Sequence, residues 1–397
     1  MSESHPMDGV HALIPSDQMF DGARKLRAAY EMKPDNPLYR SEFGYNSRWG
    51  VEACYYCLDQ WYEQGLSPAA DLVRLFGYDP QGKHCLGQLG ACEAEMVPQF
   101  EEKVLEERGE YEVIRDAVGR HLLVFKGRRQ GFMPEYISHP VRDIKSWEEK
   151  VKWRLDPSST RRFKEFENRM STARREAAIG MMITQDMVGG YMYLRSLIGP
   201  VDLLYAFHDM PELIHECMKS WLDLADFVIA RHQQHITIDE LFFDEDICYN
   251  HGLLISPDMI REFLFPYYQQ LISNIKSRQP DRSRHLYVQF DIDGFVVPAI
   301  DLYREGTGMD VISPLEAAAG CDVVDIGKKY PDLVMFGGID KRVLAAGTEA
   351  IDLHLENIIP VMKARGGYVP TCDHGVPAEV SLKDYRYYRK RVMELGG

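Results

Sequence analysis

From about residue 161 onward the chain alternates apolar strand-like stretches with amphipathic helical ones, and this alternation limits its fold more than any other feature. Stretches with strand character fall at 179–184, 240–243, 285–290, 311–312, 333–336 and 368–371. Helical segments lie between them at 211–231, 257–277 and 350–364. Pro211 and Pro257 suit the first turn of a helix, where a missing N–H costs nothing, and Ser256 is a fitting N-cap. Repeated strand-then-helix units predict a parallel sheet covered by helices. No Gly-x-Gly-x-x-Gly turn follows any of the strands, which argues against a dinucleotide-binding open sheet. The expectation is a single-domain α/β protein over 1–397, a (β/α)8 TIM barrel with N-terminal helical and β-hairpin additions. Residues 1–157 hold the additions and 158–397 most of the barrel.

The first part of the chain is irregular. It predicts an amphipathic helix over 48–64, a second over 68–76, two short strands at 111–115 and 121–126 joined by a turn, and a helix over 147–155. The Gly-rich, basic stretch 127–133 is expected to lie over the cleft. Apolar residues make up 45% of the 397-residue chain, enough for a large core.

Charge and cysteine content narrow the partners. With 61 acidic against 46 basic side chains the net charge is −15, which disfavours nucleic acid and anionic membranes. No apolar run is long enough to span a bilayer, and the start lacks the basic and apolar segments of a signal peptide. The eight cysteines are scattered in the manner of reduced thiols, so a cytoplasmic location is expected. Cys54 and Cys57 form a Cys-x-x-Cys pair among aromatic residues and read as core.

Barrel enzymes carry their chemistry at the carboxyl ends of the strands. That rule selects Gln185-Asp186, Phe243-Asp244-Glu245-Asp246, Asp291-Ile292-Asp293-Gly294, Ser313-Pro314-Leu315-Glu316 and Cys372-Asp373-His374. Asp291 and Asp293 are two apart, so both point to one side if the strand continues. Two carboxylates on one face repel unless a cation or a proton lies between them, which makes them metal ligands or an acid/base pair. The plainer alternative is a turn in which Asp293-Gly294 reverses the chain. Cys372 and His374 are of the type that holds catalytic zinc, although a lone cysteine is usually inert core.

Several of these motifs, in this order, resemble the uroporphyrinogen decarboxylase superfamily. They are the run Phe243-Asp-Glu-Asp-Ile-Cys-Tyr-Asn-His-Gly-Leu-Leu-Ile-Ser-Pro-Asp, then Phe290-Asp-Ile-Asp-Gly, Ile312-Ser-Pro-Leu-Glu, Phe336-Gly-Gly-Ile-Asp and Gly366-Gly-Tyr. The resemblance implies a (β/α)8 barrel with a deep cleft. True decarboxylases of the superfamily carry an arginine-rich Met-Arg-Gln-Ala-Gly-Arg element that grips substrate carboxylates. Here Ser47-Arg48-Trp49-Gly50 stands instead. The chain is closer to the branch that passes methyl groups to or from corrinoid proteins or thiols. Thiol-activating members of that branch hold zinc with a His-x-Cys pair and a later Cys. Asp291 and Asp293 fall at the positions of that pair, and Cys372 near the last ligand.

The resemblance thus implies a zinc site of Asp291, Asp293 and Cys372. Glu245, His374 and Asp246 would be the catalytic residues and Asp186, Tyr249, Phe290 and Glu316 the substrate-binding ones, with Asp244 behind them. An oxygen-rich set suits polarising an ether oxygen better than holding a thiolate. The expected function is therefore an O-demethylase that moves a methyl group from a small methoxylated, aromatic donor to a separate corrinoid-binding protein. The chain has no Asp-x-His-x-x-Gly cobalamin fingerprint of its own. Barrels of this kind often pair, so a homodimer is compatible. The alternative is a cofactor-free decarboxylase or lyase of a tetrapyrrole or aromatic acid, which predicts that Arg48, Arg129 or Arg195 enters the cleft. A non-catalytic, ligand-binding barrel is the third class.

Overall fold

The computed structural model describes residues 12–47, 50–127 and 134–397. Its centre is a seven-stranded, wholly parallel sheet in the order Lys83–Cys85, Met182–Val188, Glu240–Asp244, Tyr287–Asp291, Val311–Ser313, Val334–Phe336 and Tyr368–Val369. These are called the first to seventh strands. Isolated parallel bridges between Ile339 and Cys372, and between Tyr55 and Val376, continue the pairing beyond the last strand. The sheet curls: the Lys83 ammonium on the first strand lies 5.1 Å from the ring centre of Phe336 on the sixth. This is the expected α/β barrel.

The alternation located six of the seven strands within a few residues. The second begins at Met182 rather than 179, because Gly180 and Met181 give their carbonyls to Arg27 before the ladder starts. The first strand, Lys83–Cys85, has three residues and carried no periodic signal. Ser256 caps Pro257–Phe263 by accepting from the amide of Met259 at 3.2 Å. The single helix expected over 257–277 is divided at Leu264, since Pro266 in the next turn has no N–H to continue the ladder.

The helix Asp21–Tyr30 plugs the amino end of the barrel. Arg27 donates to Asp239 at 3.0 and 3.2 Å, and the Tyr30 ring packs 4.9 Å from Tyr287. The continuous helix expected over 48–64 is not formed across the described residues. A 3-10 turn, Val51–Cys54, and a short helix, Leu58–Glu63, flank Tyr55, whose backbone is drawn into its bridge with Val376. The helix expected over 68–76 shrinks to Leu72–Leu75, capped by Asp71. The expected hairpin forms at Tyr111–Arg115 and His121–Phe125, within a four-stranded antiparallel sheet completed by Lys103–Arg108 and Glu135–Ser138. Helical turns run over Ile144–Leu155, opened by a capping box between Asp143 and Ser146. Of the stretch expected over the cleft, residues 128–133 lie outside the described residues. Among the described residues no helix is long and apolar enough to cross a membrane.

Candidate active site

Side chains on a strand alternate between its faces, so every second residue points into the barrel. Thr184 and Asp186, Phe242 and Asp244, Gln289 and Asp291, then Ser313 and Phe336 are the inward set, and all line a cavity of about 470 Å³ at the carboxyl ends. Its floor is a closed polar layer. Lys83 Nζ donates to both oxygens of Glu240 at 2.9 and 2.7 Å, Thr184 Oγ1 donates to Glu240 at 2.9 Å, and Tyr30 adds a further hydrogen bond. Burying that pair fully satisfied leaves the Lys83 charge already matched.

Above the floor the lining becomes acidic. Strand register places Asp291 directly between Asp244 and Ser313. The Ser313 hydroxyl donates to Asp291, and Asp186 accepts from the Gly87 amide at 2.9 Å. Burial, and then the charges of Asp244 and Asp293, push the Asp291 carboxyl well above its ordinary range. Asp293 is pushed up to about 8 by burial, then by Asp246 and Glu316, although 38% of its side-chain surface stays accessible to the cavity mouth. Asp246 is held by Arg195 at 3.1 Å. His374 stacks on Phe43 with centroids 4.5 Å apart, and its Nε2 lies 3.9 Å from Asp293. Burial and the nearby Lys341 charge lower its basicity, so the imidazole favours its neutral form.

The fully buried Asp373 organises this rim. Its two oxygens accept from the amides of Ala317 at 3.0 Å and Lys341 at 3.1 Å, tying together the loops after the fifth and sixth strands. Glu316 accepts from the Gly294 amide at 2.8 Å and from Lys341 Nζ at 3.3 Å.

Among the residues expected at the site, Asp186, Asp246, Asp291, Asp293 and His374 line the cavity. Glu316 acts one step behind it, through Gly294 and Lys341. Four others point elsewhere. Glu245 is fully buried on the outer face of its strand, where Tyr268 donates at 2.7 Å and Tyr303 at 2.6 Å. Burial pushes its carboxyl up to about 7 against those hydrogen bonds. Phe290 also faces outward, stacked on Phe243 at 4.8 Å. Tyr249 is 45% exposed on the small ribbon Cys248–Tyr249 and Gly252–Leu253, away from the cavity.

Cys372 is the fourth. Thr371 and His374 face the cavity, whereas Cys372 is fully buried behind the wall with its amide donating to Glu42 at 2.6 Å. Its thiol is pushed well above the ordinary range by burial and by the Glu42 charge. Cys372 therefore cannot join Asp291 and Asp293 around one ion. Among the described residues no three His, Cys, Asp or Glu side chains are grouped to hold a metal. The expected zinc set does not fit the residues present.

Sequence reasoning missed the contribution of the N-terminal region. Glu42, Phe43, Tyr56, Cys85 and Cys92 all line the cavity. Glu42 is fixed by donors from far along the chain, Cys372 and Tyr385. No local pattern signals such long-range contacts. Of the arginines expected to enter the cleft, Arg195 is engaged by Asp246, and Arg48 and Arg129 lie outside the described residues.

Comparison with known proteins agrees with this architecture. The family model described as uroporphyrinogen decarboxylase (URO-D) matches residues 130–395. A uroporphyrinogen decarboxylase from Hydrogenobaculum sp. is 24% identical over 190 residues, which is 48% of this chain and 48% of that protein. The chain thus aligns with about half the length of this curated relative. Among solved structures, a methyltransferase from Methanosarcina mazei superposes with a TM-score of 0.54 at 14% identity, covering 94% of this chain and 98% of that one. That likeness is one of fold.

Proposed function

Because this chain belongs to the uroporphyrinogen decarboxylase family, we propose that it is a methyltransferase that removes the methyl group of a methoxylated aromatic donor bound in the barrel cavity. The observation that carries the reading is the pair Asp291 and Asp293, two lining carboxyls both held toward their protonated forms. An aryl or alkyl oxide is a poor leaving group unless it is protonated as its bond to carbon breaks. A carboxylic acid with its value near 8 is a donor poised for that step at neutral pH.

In this scheme the donor's ring lies among Phe43, Tyr56, Phe242 and Phe336. Asp293 gives its proton to the ether oxygen as the methyl carbon–oxygen bond breaks, leaving a hydroxyl on the product and a carboxylate on Asp293. The methyl carbon forms its new bond to a nucleophile brought by a second protein. A reduced corrinoid, as the family resemblance implies, would supply that nucleophile when the partner docks. Burial and the neighbouring acids hold Asp291 protonated beside the reacting oxygen, against the hydrogen bond donated by Ser313. His374, neutral and 3.9 Å from Asp293, is placed to take part in returning its proton.

Decarboxylation of a tetrapyrrole is the reading that the Hydrogenobaculum relative favours. The described lining carries six carboxyl groups; of the arginines this reading needs in the cleft, Arg195 is engaged by Asp246, and Arg48 and Arg129 lie outside the described residues. Substrate carboxylates need paired guanidinium donors when they leave water. The test gives the purified protein a reduced corrinoid-binding protein and a panel of methoxylated aromatics, and follows phenol release by chromatography. Release that disappears in Asp293→Asn supports the reading. No release from any donor, with carbon dioxide released from uroporphyrinogen in the parallel assay, overturns it.

A further inference from the structure

We infer that Glu42 is a positioning residue of the cavity: by clamping Phe43 to Cys372 it seats the His374 ring beside Asp293. The inference goes beyond the methyl-transfer reading, since the placement of His374 bears on any proton transfer in this cavity. Only the kinetic part of its test rests on that reading.

Glu42 is buried, at 2% exposure, yet its hydrogen bonds come from three parts of the chain. One oxygen accepts from the Phe43 amide at 3.0 Å and the Cys372 amide at 2.6 Å, and the other from the Tyr385 hydroxyl at 2.6 Å. Backbone amides can only donate, so each of these two needs an oxygen at that place. The carboxyl thereby joins its own segment of the cavity wall, the chain leaving the seventh strand, and the last helix, Leu382–Gly396.

The loop that carries His374 is held at both ends by the N-terminal region. At its start Cys372 is tied to Glu42. At its end the Val376 carbonyl accepts from the Tyr56 amide at 2.9 Å, and the Val376 amide donates to the Cys54 carbonyl at 2.8 Å. Asp373, His374 and Gly375 lie between, and Asp373 is itself bound to the amides of Ala317 and Lys341. The two clamps are also linked through side chains. Tyr385 gives its single hydroxyl hydrogen to Glu42, so its oxygen accepts from Tyr78, whose oxygen in turn accepts from Tyr55. Tyr55 is the residue bridged to Val376, which closes a circuit of contacts containing the His374 loop.

The same region supplies the surfaces against which the imidazole rests. Phe43, next to Glu42, stacks on it with centroids 4.5 Å apart and planes 24° from parallel. The Tyr56 ring lies 6.2 Å from it and passes so close over Gly375 that a Cβ there would come within 2.8 Å. By holding the Phe43 amide, Glu42 fixes the backbone from which the stacking ring projects. A clamp of this kind requires reach before charge. In Glu42→Gln the amide oxygen serves both backbone donors, and Nε2 donates to Tyr385, whose hydroxyl turns to Tyr78. Glu42→Asp keeps the charge but is one methylene short of serving both sides, and hydrogen bonds weaken steeply off their distance and angle.

The experiment follows the ring-proton resonances of His374 in the full chain labelled with carbon-13 histidine, assigned by their loss in His374→Gln. Stacking on Phe43 shifts them upfield, and Phe43→Leu gives the position of the unstacked ring. Glu42→Asp should move them toward that position, whereas Glu42→Gln should leave them near the wild-type one. The resonances of the buried His232 report that each variant is folded. Resonances unmoved in Glu42→Asp, or displaced in Glu42→Gln as far as in Phe43→Leu, overturn the inference. Should Glu42→Asp not fold, hydrogen exchange decides. The Phe43 and Cys372 amides should be protected in the wild type and exchange about tenfold faster in Glu42→Gln, where the acceptor is neutral and weaker. Equal exchange in the two proteins overturns the clamp. Phenol release is read on the same variants: kcat/KM should fall about tenfold or more in Glu42→Asp and by about threefold or less in Glu42→Gln. No phenol from the wild type, with the resonances behaving as expected, would sink the methyl-transfer reading and leave the positioning of His374 standing.

Discussion

The Nε2 of His374 stands 3.9 Å from Oδ2 of Asp293, and both groups are biased toward their uncharged forms. At neutral pH this is a proton-holding pair rather than an ion pair. Burial is the largest cause on both sides; Asp246 then raises the acid and Lys341 lowers the base. The pair sits where a ligand in the barrel cavity would meet it.

The proton on Asp293 sets the first expected outcome. Since its carboxyl loses that proton near 8, kcat/KM for methyl release should be level below that pH and fall above it. Asp293→Asn should lower the rate by roughly 10²–10⁴-fold and abolish the alkaline limb. A variant that keeps the limb would assign it to another group.

Asp291 makes a statement about stability. Its folded-state value lies well above that of an unfolded aspartate, so the native state binds the extra proton. The stability it contributes is full at acid pH and is lost as pH rises through the folded value. Asp291→Asn should therefore raise the melting temperature at alkaline pH, by about 2 °C or more, and raise it less at acid pH. Thermal melts across pH check this; an equal shift at every pH would contradict it.

Glu245 belongs to the support of the barrel. Removing it as Glu245→Ala strands the hydroxyls of Tyr268 and Tyr303 in the core and should cost about 3 kcal/mol in urea unfolding. With a folded value raised to about 7, its contribution is lost as pH rises through that value. Glu245→Gln should flatten that part of the stability profile.

Asp373 carries no reaction step but holds two loops. Asp373→Ala should cost about 3 kcal/mol, because the amides of Ala317 and Lys341 lose a charged acceptor. Hydrogen exchange at those two amides should accelerate. Unchanged protection there would show that the loops are held by something else.

Zinc binding provides the last check. With Cys372 behind the wall, Cys372→Ala should leave the metal content of the purified protein unchanged, measured by elemental analysis. Stoichiometric zinc lost in that variant would restore the ligand set implied by the resemblance.

Much of the fold was legible because its signals are local. Strand-helix alternation, proline in first turns and the Ser256 cap depend on residues a few positions apart. Errors in the site came from parity. Along a strand one position decides the face, so Asp244, Asp291 and Thr371 look inward while Glu245, Phe290 and Cys372, one residue on or back, look out. The sequence marked the right strand ends without settling which neighbour faced the cavity.

By itself, then, the sequence determined the barrel, the ends of six strands and the inward pairing of Asp291 with Asp293, all fixed by periodicity within short windows. Only the tertiary structure decided what these carboxyls experience. The first strand, Glu42, Phe43 and Tyr56 arrive from more than a hundred residues away in sequence, and their packing turns an exposed acidic rim into a recess where protons are retained. Desolvation and charge crowding depend on distances in space, and no window of sequence encodes them.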